Sequence, residues 1–327
     1  MAIMFRAVQI VAANQSAMSM ALIALHPLCL ALGADETGMF DAGLPVLEGD
    51  SVESLFGAAQ SAGQVGSLRL FQTEDWLLGA ATVRVSATAG LEDVSRQLYE
   101  DIFRATRGRH LARVWNYVPA INETGPTGLE NYREFCRGRS FAFEAQFGRG
   151  FNARLPAASA VGRKPGALTV AFAACSSVPR HVENPLQVPA YDYPGEHGPR
   201  APSFARATVV TGLEHTSVFI SGTAAIRGHE TIASHDTPRQ LACTLENLRE
   251  ISRACGLGPE LDQDGGSTRH FKIYVRHAAD QPAVAAILAE RLLTDTDRVS
   301  YLQADICRAA LLVEIEASLF GVRARAG

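Results

Sequence analysis

The chain has 327 residues, of which 47% are hydrophobic and 20% are charged, and its formal net charge is -4. This composition is that of an ordinary globular protein with a sizeable core, in two domains or one large one, and it excludes disordered and fibrous chains. The net negative charge provides no basic surface for nucleic acid. The six cysteines include no Cys-x-x-Cys pair, which argues against a structural zinc site and favours a reducing, cytoplasmic compartment.

An apolar segment over residues 17–34, with Arg6 upstream, loosely resembles a secretory signal. His26 and Pro27 interrupt this segment, and it is too short and too broken to span a bilayer comfortably. We therefore expect a cytoplasmic protein that does not associate with a membrane.

The N-terminal part of the chain is predicted to hold a lead-in followed by a compact unit. Residues 1–66 form the lead-in, because 33–66 are rich in Gly, Asp, Glu and Ser and offer at most one short strand. In the unit over 67–175, apolar residues at 91, 94, 98, 102 and 103 repeat with the period of an amphipathic helix. The unit has the order β-α-β-α-β-β, with strands at 76–85 and 110–117, helices at 91–106 and 128–147, and one or two strands within 157–175.

The C-terminal part, over 204–327, repeats this order. Asp236 just before Pro238 is a good helix start, and Gly256 ends that helix. The other elements are strands at 204–210, 216–221, 271–276, 301–307 and 311–317, and a helix at 280–293. The shared order predicts an α+β fold of two similar units, each a mixed β-sheet with two helices packed on one face.

A proline-rich loop over 176–203 joins the two units and runs into the second. Its five prolines between residues 185 and 202 exclude a helix or a central strand. A long stiff loop that carries phenols and guanidiniums is more often a binding loop than a simple connection, and guanidiniums suit carboxylates or phosphates. The loop therefore predicts a site for a small anion, and the alternative is a surface crossover with solvated arginines. The residues behind this prediction are Tyr191, Tyr193, Arg200 and Arg206.

The common motifs of catalysis and metal binding are missing from the sequence. It has no glycine-rich nucleotide-binding motif, no Gly-x-Ser-x-Gly and no His-Glu-x-x-His. His229 and His235 lie near Glu230 and Asp236, but the irregular spacing favours a solvated turn over a metal site. Gly222 follows an apolar strand, which fits the close approach of a ligand or equally a tight turn.

The last predicted strand carries two acidic residues on one face. A period of two along 311–316 places Glu314 and Glu316 on one side and Val313 and Ile315 on the other. If the acidic side lines a cavity, desolvation raises the pKa of Glu314 and makes it a proton donor near neutral pH. If that side meets water, Glu314 is an ordinary surface residue, and the pattern alone favours this second interpretation.

Several separate blocks of sequence between about residues 70 and 320 carry a family resemblance. They are Val114-Trp-Asn-Tyr-Val-Pro-Ala-Ile-Asn122, Gly128-Leu-Glu-Asn-Tyr-Arg-Glu-Phe-Cys-Arg-Gly-Arg139, the proline-rich Glu183–Pro194, Ile220-Ser-Gly-Thr-Ala224, Ala304-Asp-Ile-Cys-Arg308 and Leu311-Leu-Val-Glu-Ile-Glu316. Together they resemble the chorismatases. The resemblance implies two units with a fold like that of the RidA (YjgF) proteins, and one pocket that takes chorismate without cofactor or metal and releases pyruvate.

The same resemblance implies roles for individual residues. Glu314 would protonate the enol ether of chorismate and then stabilise the resulting cation, with Cys307 as the second catalytic candidate. Since chorismate carries two carboxylates, the family implies several arginines to bind them. The arginine candidates are Arg139, Arg200, Arg206 and Arg276, and Arg137 is an alternative to Arg139. The candidates that shape the pocket are Tyr193, Gly222, Thr223, Ala224 and Tyr274.

The product is expected to be a hydroxybenzoate. Cys307 resembles the members that aromatise chorismate to 3-hydroxybenzoate, alone or with 4-hydroxybenzoate, whereas Ala224 leaves the subclass open. The alternatives are a hydrolase that forms a dihydroxycyclohexadiene carboxylate, an imine deaminase of the RidA kind, and a non-catalytic anion-binding protein. We expect chorismate as the small-molecule partner and a monomer or a small homo-oligomer.

Overall fold

The computed structural model describes residues 26–323, apart from residues 58, 87, 89, 213 and 214. Residues 17–25 of the signal-like segment lie outside this range, and Pro27–Ala31 form a strand. Within the described range, no helix combines the length and the apolar character that crossing a bilayer requires. The longer helices are α1 (Leu91–Ala105), α2 (Asn131–Phe147), α3 (Thr237–Cys255) and α4 (Gln281–Arg291).

The strands form two large sheets and one small one. In chain order they are β1 (Pro27–Ala31), β2 (Met39–Gly49), β3 (Val52–Glu53), β4 (Gln60–Val65), β5 (Leu68–Gln72), β6 (Trp76–Arg84), β7 (His110–Pro119), β8 (Ala157–Arg163), β9 (Ala167–Cys175), β10 (Arg180–Val182), β11 (Ala207–Thr211), β12 (Thr216–Ala224), β13 (Ile226–Arg227), β14 (Glu230–Thr231), β15 (Thr268–Val275), β16 (Arg298–Gln303), β17 (Asp305–Ile306) and β18 (Val313–Val322). The nine-stranded sheet has the order β10-β11-β12-β18-β15-β16-β2-β1-β3, and the seven-stranded sheet has the order β17-β8-β7-β9-β6-β5-β4. Strands β13 and β14 pair separately.

The two large sheets contain the same six-stranded arrangement. The order β4-β5-β6-β9-β7-β8 in one sheet corresponds to β10-β11-β12-β18-β15-β16 in the other. Within each arrangement one pair is parallel, β7 with β8 and β15 with β16, and the helix between those two strands is α2 or α4. The repetition of element order that the sequence predicted is thus also a repetition of strand pairing.

Each sheet buries one face under two helices. Leu98 of α1 and Phe143 of α2 share a core with Phe172 of the seven-stranded sheet. On the nine-stranded sheet, Leu248 of α3 and Val284 of α4 share a second core. The remaining faces of the two sheets meet in a third core that contains Leu78, Trp115, Tyr274 and Leu302. The predicted α+β fold of two similar units, each with two helices on one face, is confirmed.

Two predictions of local structure are wrong. The segment 33–66 is mostly strand, because the 11-residue β2 buries alternate residues from Phe40 to Val46, while its exposed polar residues and glycines hide that alternation in the sequence. The predicted strand 301–307 is divided: β16 ends at Gln303, and Asp305–Ile306 pair with β8 in the other sheet.

These two differences have a common result. Strand β2, from the N-terminal part, extends the sheet of the C-terminal unit beside β16, and β17, from the C-terminal part, extends the sheet of the N-terminal unit beside β8. Each unit therefore borrows a strand from the other half of the chain. The predicted boundaries between the lead-in, the two units and the proline-rich loop, at residues 67, 176 and 204, stay a prediction.

A buried charge cluster connects the two sheets. Glu316 on β18 is 2% exposed, and its carboxylate lies 2.7 Å from Arg113 Nη2 and 2.9 Å from Lys272 Nζ. It also accepts hydrogen bonds from Trp115 Nε1 at 2.9 Å and from the Tyr274 hydroxyl at 3.0 Å. Since Arg113 and Trp115 belong to the seven-stranded sheet, this one carboxylate fixes both sheets against each other.

We expect Glu316→Gln to lower the free energy of unfolding by about 3–5 kcal/mol, because it leaves two buried cations without their shared anion. Denaturant unfolding measures this loss. The matched control is Glu100→Gln, which removes the exposed ion pair with Arg96 on α1 and should cost less than about 1 kcal/mol. Equal losses in the two variants would contradict the assigned role of the buried cluster.

Candidate active site

An irregularity in strand pairing brings Glu314 to the end of the nine-stranded sheet next to a glycine. Strands β12 and β18 pair with a register shift between Ile220 and Thr223, after which Ala224 lies opposite Glu314. A Cβ atom on Gly222 would overlap the Glu314 carboxylate. Glycine is therefore required here for the close approach of the Glu314 side chain, whereas the sequence had offered close approach of a ligand or a tight turn.

Glu314 and Glu316 lie on one face of β18 but differ in protonation. Burial and, to a smaller extent, the nearby charge of Glu316 raise the pKa of Glu314 to about 8 against the opposing effects of Arg113 and Arg206. Burial also acts on Glu316, but Lys272 and Arg113 outweigh it and hold the pKa of Glu316 at about 2. At neutral pH Glu314 is therefore mainly a neutral acid, whereas Glu316 is a carboxylate.

Glu314 is directed into a cavity of about 530 Å³. The carboxyl group is 3% exposed, and its Oε1 atom has no hydrogen-bond partner among the described residues. The cavity walls come from the start of α2, the proline-rich loop, the end of β12, and the segment between β17 and β18. A neutral acid with a free oxygen thus faces a space large enough for a small organic molecule.

A narrow extension of about 30 Å³ continues the cavity inward and ends at Arg139. Arg139 on α2 is 1% exposed, stacks on the Phe135 ring at 4.9 Å, and approaches Cys136 Sγ at 3.9 Å. Burial raises the pKa of Cys136 and of the neighbouring Tyr99, so both stay neutral near pH 7. Arg139 makes no ion pair within the described part of the chain, and this leaves a buried cation that lacks an anion.

Tyr193 of the proline-rich loop and Arg206, which follows the loop, line the cavity. Arg206 Nη2 donates a hydrogen bond of 2.7 Å to the Tyr193 hydroxyl and one of 3.1 Å to the Val188 carbonyl. Glu183 Oε2 lies 4.0 Å from Arg206 Nε, and neither atom has a hydrogen-bond partner among the described residues. Burial raises the pKa of Glu183 to about 7, so Arg206 is incompletely neutralised at neutral pH.

Cys307 and Arg308 reach the cavity from the segment between β17 and β18. Arg276, predicted to bind a substrate carboxylate, does not line the cavity. It pairs with Asp305 and donates to the carbonyls of Leu311 at 2.7 Å and Arg308 at 3.0 Å. The guanidinium serves protein acceptors and holds in place the segment that carries Cys307, and the predicted contact of Arg276 with a substrate carboxylate stays a prediction.

Three further predicted residues lie outside the cavity wall. Tyr274 is buried in the Glu316 cluster, and Arg200 pairs with Glu144 at 2.8 Å and stacks on Phe141 at 4.6 Å. The Thr223 hydroxyl donates to the Ser221 carbonyl at 2.9 Å, so its role is confined to the backbone of β12. The predicted residues that do line the cavity or its extension are Arg139, Tyr193, Arg206, Gly222, Ala224, Cys307 and Glu314.

The structure adds cavity residues that sequence reasoning missed. Arg308 lies with its guanidinium carbon 5.2 Å from the Tyr193 ring centre, and it donates to the His229 carbonyl at 2.7 Å. It makes no ion pair within the described residues. Its position beside Cys307 in a resembling block was a usable signal. Tyr132 and Arg133 also line the cavity and lie in the resembling block 128–139, whereas nothing local distinguishes His197 and Phe204.

Comparisons with known proteins place the whole arrangement in one family. The profile of the family described as "Chorismatase FkbO/Hyg5-like, N-terminal" matches residues 55–174. A 3-hydroxybenzoate synthase from Streptomyces hygroscopicus is 40% identical over 244 residues, which cover 71% of this chain and 71% of the relative. A chorismatase from the same organism is 39% identical over 252 residues, or 75% of this chain and 72% of the relative.

A solved structure agrees with this assignment at the level of the fold. The crystal structure of a chorismatase, 34% identical in sequence, matches with a TM-score of 0.71 and covers 80% of this chain and 79% of that chain. Identity of this order over more than two thirds of both chains reflects common descent rather than a shared architecture alone. The chain therefore belongs to the chorismatase family.

Proposed function

We propose that this protein cleaves the enolpyruvyl ether of chorismate without a cofactor and releases pyruvate and a hydroxybenzoate, with 3-hydroxybenzoate as the main aromatic product. The observation that carries the proposal is Glu314, a buried acid that is mainly protonated at neutral pH and has a free oxygen in the cavity. An enol ether is cleaved by protonation at carbon, for which such an acid is suited. The family membership gives the substrate class, since relatives are a 3-hydroxybenzoate synthase and chorismatases.

The charges around the cavity suit a dianion. Arg139 at the inner end lacks an anionic partner within the described residues, and Arg308 on the wall lacks one as well. Arg206 adds a third guanidinium whose nearest carboxylate, Glu183, is 4.0 Å away. Chorismate carries two carboxylates, so we assign one to Arg139 and the other to Arg206 and Arg308. The Tyr193 ring then forms the wall between the latter two arginines.

The first chemical step is proton transfer from Glu314 to the methylene carbon of the enol ether. This step forms an oxocarbenium ion and leaves Glu314 as a carboxylate, whose negative charge stabilises the cation. In the aromatising route the ring hydroxyl of the substrate captures this cation and forms a cyclic ketal. The ring then loses a proton, which offsets the one that Glu314 supplied, and the bond from the ring carbon to the captured oxygen breaks as the ring becomes aromatic. The resulting hemiketal divides into hydroxybenzoate and pyruvate, with no net uptake of water. In plain hydrolysis, water captures the cation directly. The two routes share the acid and differ in access of water to one carbon.

We infer that Cys307 influences that difference. Its side chain is half-buried at the cavity wall and packs against the core of the N-terminal unit and against a small cluster that includes Ala224 and Leu311. Burial and, to a smaller extent, the neighbouring Glu314 raise the pKa of the thiol to about 12. The thiol is therefore neutral at pH 7, which favours a role in packing and weak hydrogen bonding against the substrate ring over one as a nucleophile.

The direct test is to incubate the purified protein with chorismate and to separate the products by chromatography. We expect one pyruvate for each hydroxybenzoate formed, with 3-hydroxybenzoate as the main aromatic product and 4-hydroxybenzoate, where it forms, as the minor one. Pyruvate with only a dihydroxycyclohexadiene carboxylate would identify a hydrolase and contradict the aromatising route. Binding of chorismate without any product would contradict the enzymatic proposal itself.

We expect Cys307→Ala to shift product from hydroxybenzoate toward the dihydroxycyclohexadiene carboxylate, because the lost sulfur opens space for water beside the cation. The measurement is the product ratio at equal substrate conversion. Cys243→Ala is the control, since this buried cysteine packs nearby but does not line the cavity. An unchanged ratio in Cys307→Ala would make this thiol a packing residue only.

A further inference from the structure

A cluster of two histidines and a glutamate lies at the mouth of the cavity, and the reaction proposed above makes no use of it. His197 Nε2 and His229 Nδ1 are 3.1 Å apart, and Glu196 Oε1 lies 3.5 Å from each of these nitrogens. The three atoms come from two segments of the chain: Glu196 and His197 belong to the short helix Gly195–His197, and His229 lies between β13 and β14. The sequence had grouped His229 with His235, but the fold pairs it with His197.

The spacing of these three atoms matches that of metal ligands. In a tetrahedral zinc site with bonds of 2.0–2.1 Å, any two ligand atoms are about 3.3 Å apart. The observed separations of 3.1 Å, 3.5 Å and 3.5 Å lie around this value without rearrangement of the backbone. An ordinary hydrogen bond between the two rings accounts for the first separation but not for the equal approach of the carboxylate to both nitrogens.

The backbone on both sides of the cluster is held in place. The Gly228 carbonyl accepts a hydrogen bond of 2.9 Å from Val188 N, and Gly228 N donates one of 3.0 Å to the Leu186 carbonyl. The His229 carbonyl accepts a hydrogen bond of 2.7 Å from Arg308. The Tyr193 ring packs at 5.2 Å from the His197 ring, measured between centres. Ligands that are fixed before binding lose little conformational freedom when an ion arrives.

We propose that Glu196, His197 and His229 bind one divalent zinc-type cation at the mouth of the cavity. Imidazole nitrogens select zinc and its neighbours rather than magnesium or calcium, which prefer oxygen ligands. The three protein ligands leave a fourth position for water or for an anion in the cavity. Arg133 and Arg308 lie near His197 and repel a cation, so the affinity is expected to be modest.

Occupancy has a consequence for access to the cavity. His197 lines the cavity, and an ion bound to it also joins the proline-rich loop to the segment around His229. The ion therefore restrains two of the segments that border the mouth. We expect added Zn²⁺ to slow the turnover of chorismate, and this one consequence rests on the proposed function, whereas binding of the ion does not.

Binding is tested by calorimetric titration of the metal-free protein with ZnCl₂ and by visible absorption of its Co²⁺ complex. One ion per chain is expected, with an absorption of tetrahedral type that lacks a thiolate charge-transfer band. Glu196→Gln and His229→Asn should each weaken binding by at least about 10-fold, whereas the exposed His235→Asn should not change it. No binding by the wild type, or equal binding by all variants, would overturn the site, as would a thiolate band that places the ion on a cysteine.

A second measurement separates the effect on access from binding. Glu196 is exposed and does not line the cavity, so Glu196→Gln should turn over chorismate at the wild-type rate without added metal. Zn²⁺ should then inhibit the wild type at concentrations that fill the site and inhibit the variant only at concentrations at least about 10-fold higher. Equal inhibition of the two proteins would overturn the link between the ion and the mouth. If neither the wild type nor Glu196→Gln turns over chorismate but zinc binding is intact, the result counts against the proposed function and not against the zinc site.

Discussion

Glu314→Gln should keep the fold and the affinity for chorismate while losing at least about 100-fold in kcat, because the amide cannot donate the proton that starts the reaction. The substitution is close to isosteric, so Gly222 still accommodates the side chain. Stopped or steady-state assays of pyruvate release measure kcat, and calorimetry measures binding. A variant with near wild-type kcat would refute the assigned acid, whatever its affinity.

The pH dependence provides an independent check on the same residue. The reactive form is the neutral acid, and the pKa of Glu314 is about 8, so kcat/KM should fall as pH rises through that value. The contribution of Glu314 to the free energy of unfolding falls over the same pH range. The pKa of this carboxyl is 4.5 in the unfolded chain and about 8 in the folded protein, so its protonation stabilises the fold fully below pH 4.5, and this stabilisation is lost as pH rises to about 8. Glu314→Gln should therefore gain stability relative to the wild type between pH 5 and pH 8. A rate that is flat through pH 8 would contradict the assignment.

Arg139→Met should weaken substrate binding by about 2–5 kcal/mol, which is roughly 30-fold or more in KM, because a buried substrate carboxylate loses its charged partner. The same substitution should leave the free protein equally stable or more stable. Methionine fills a similar space against Phe135, and it removes a buried cation that has no ion pair within the described residues. KM from initial rates and the denaturation midpoint of the free protein measure the two effects.

Arg137→Met is the matched control for this prediction. Arg137 lies two positions earlier on α2 and pairs with Glu92 at a partly exposed site outside the cavity. It should lose little in KM and little in stability. If Arg139→Met destabilises the free protein and leaves KM unchanged, then Arg139 is a structural residue and the first carboxylate site lies elsewhere.

Local patterns were sufficient for most of the helices and strands. Asp236 accepts a hydrogen bond of 2.9 Å from Arg239 N and caps α3, and Gly256 ends it in the left-handed region at φ 87°, as the sequence predicted. Each of these features depends on residues within a few positions of one another. By contrast, β2 was missed because exposed polar residues and glycines hide its alternation, and one of its two neighbouring strands, β16, lies some 250 residues later in the chain.

The candidate site likewise combines features that the sequence predicted with features that depend on residues distant in the chain. The alternation along 311–316 placed Glu314 and Glu316 on one face of a strand, and the structure has them there. Their different pKa values could not be read from the strand, because they depend on Arg113 and Lys272, which reach Glu316 from β7 and β15. Similarly, Arg276 and Arg139 were both predicted to bind a substrate carboxylate, yet one serves protein acceptors and the other has no ion pair within the described residues.

The amino-acid sequence by itself determined most of the order of elements, the duplication of the α+β unit, the alternation that places Glu314 and Glu316 on one face of a strand, and, through the resembling blocks, the family. The first three features are set by periodicity, capping and turn chemistry, which act between residues close in the chain. Whether the acidic face meets water or a cavity was left to the tertiary structure. The tertiary structure alone decided which guanidiniums remain free for an anion, which of two carboxyl groups stays protonated, and that His197 meets His229. Charge and protonation depend on burial and on partners brought from distant segments, and these exist only once the two sheets have packed together.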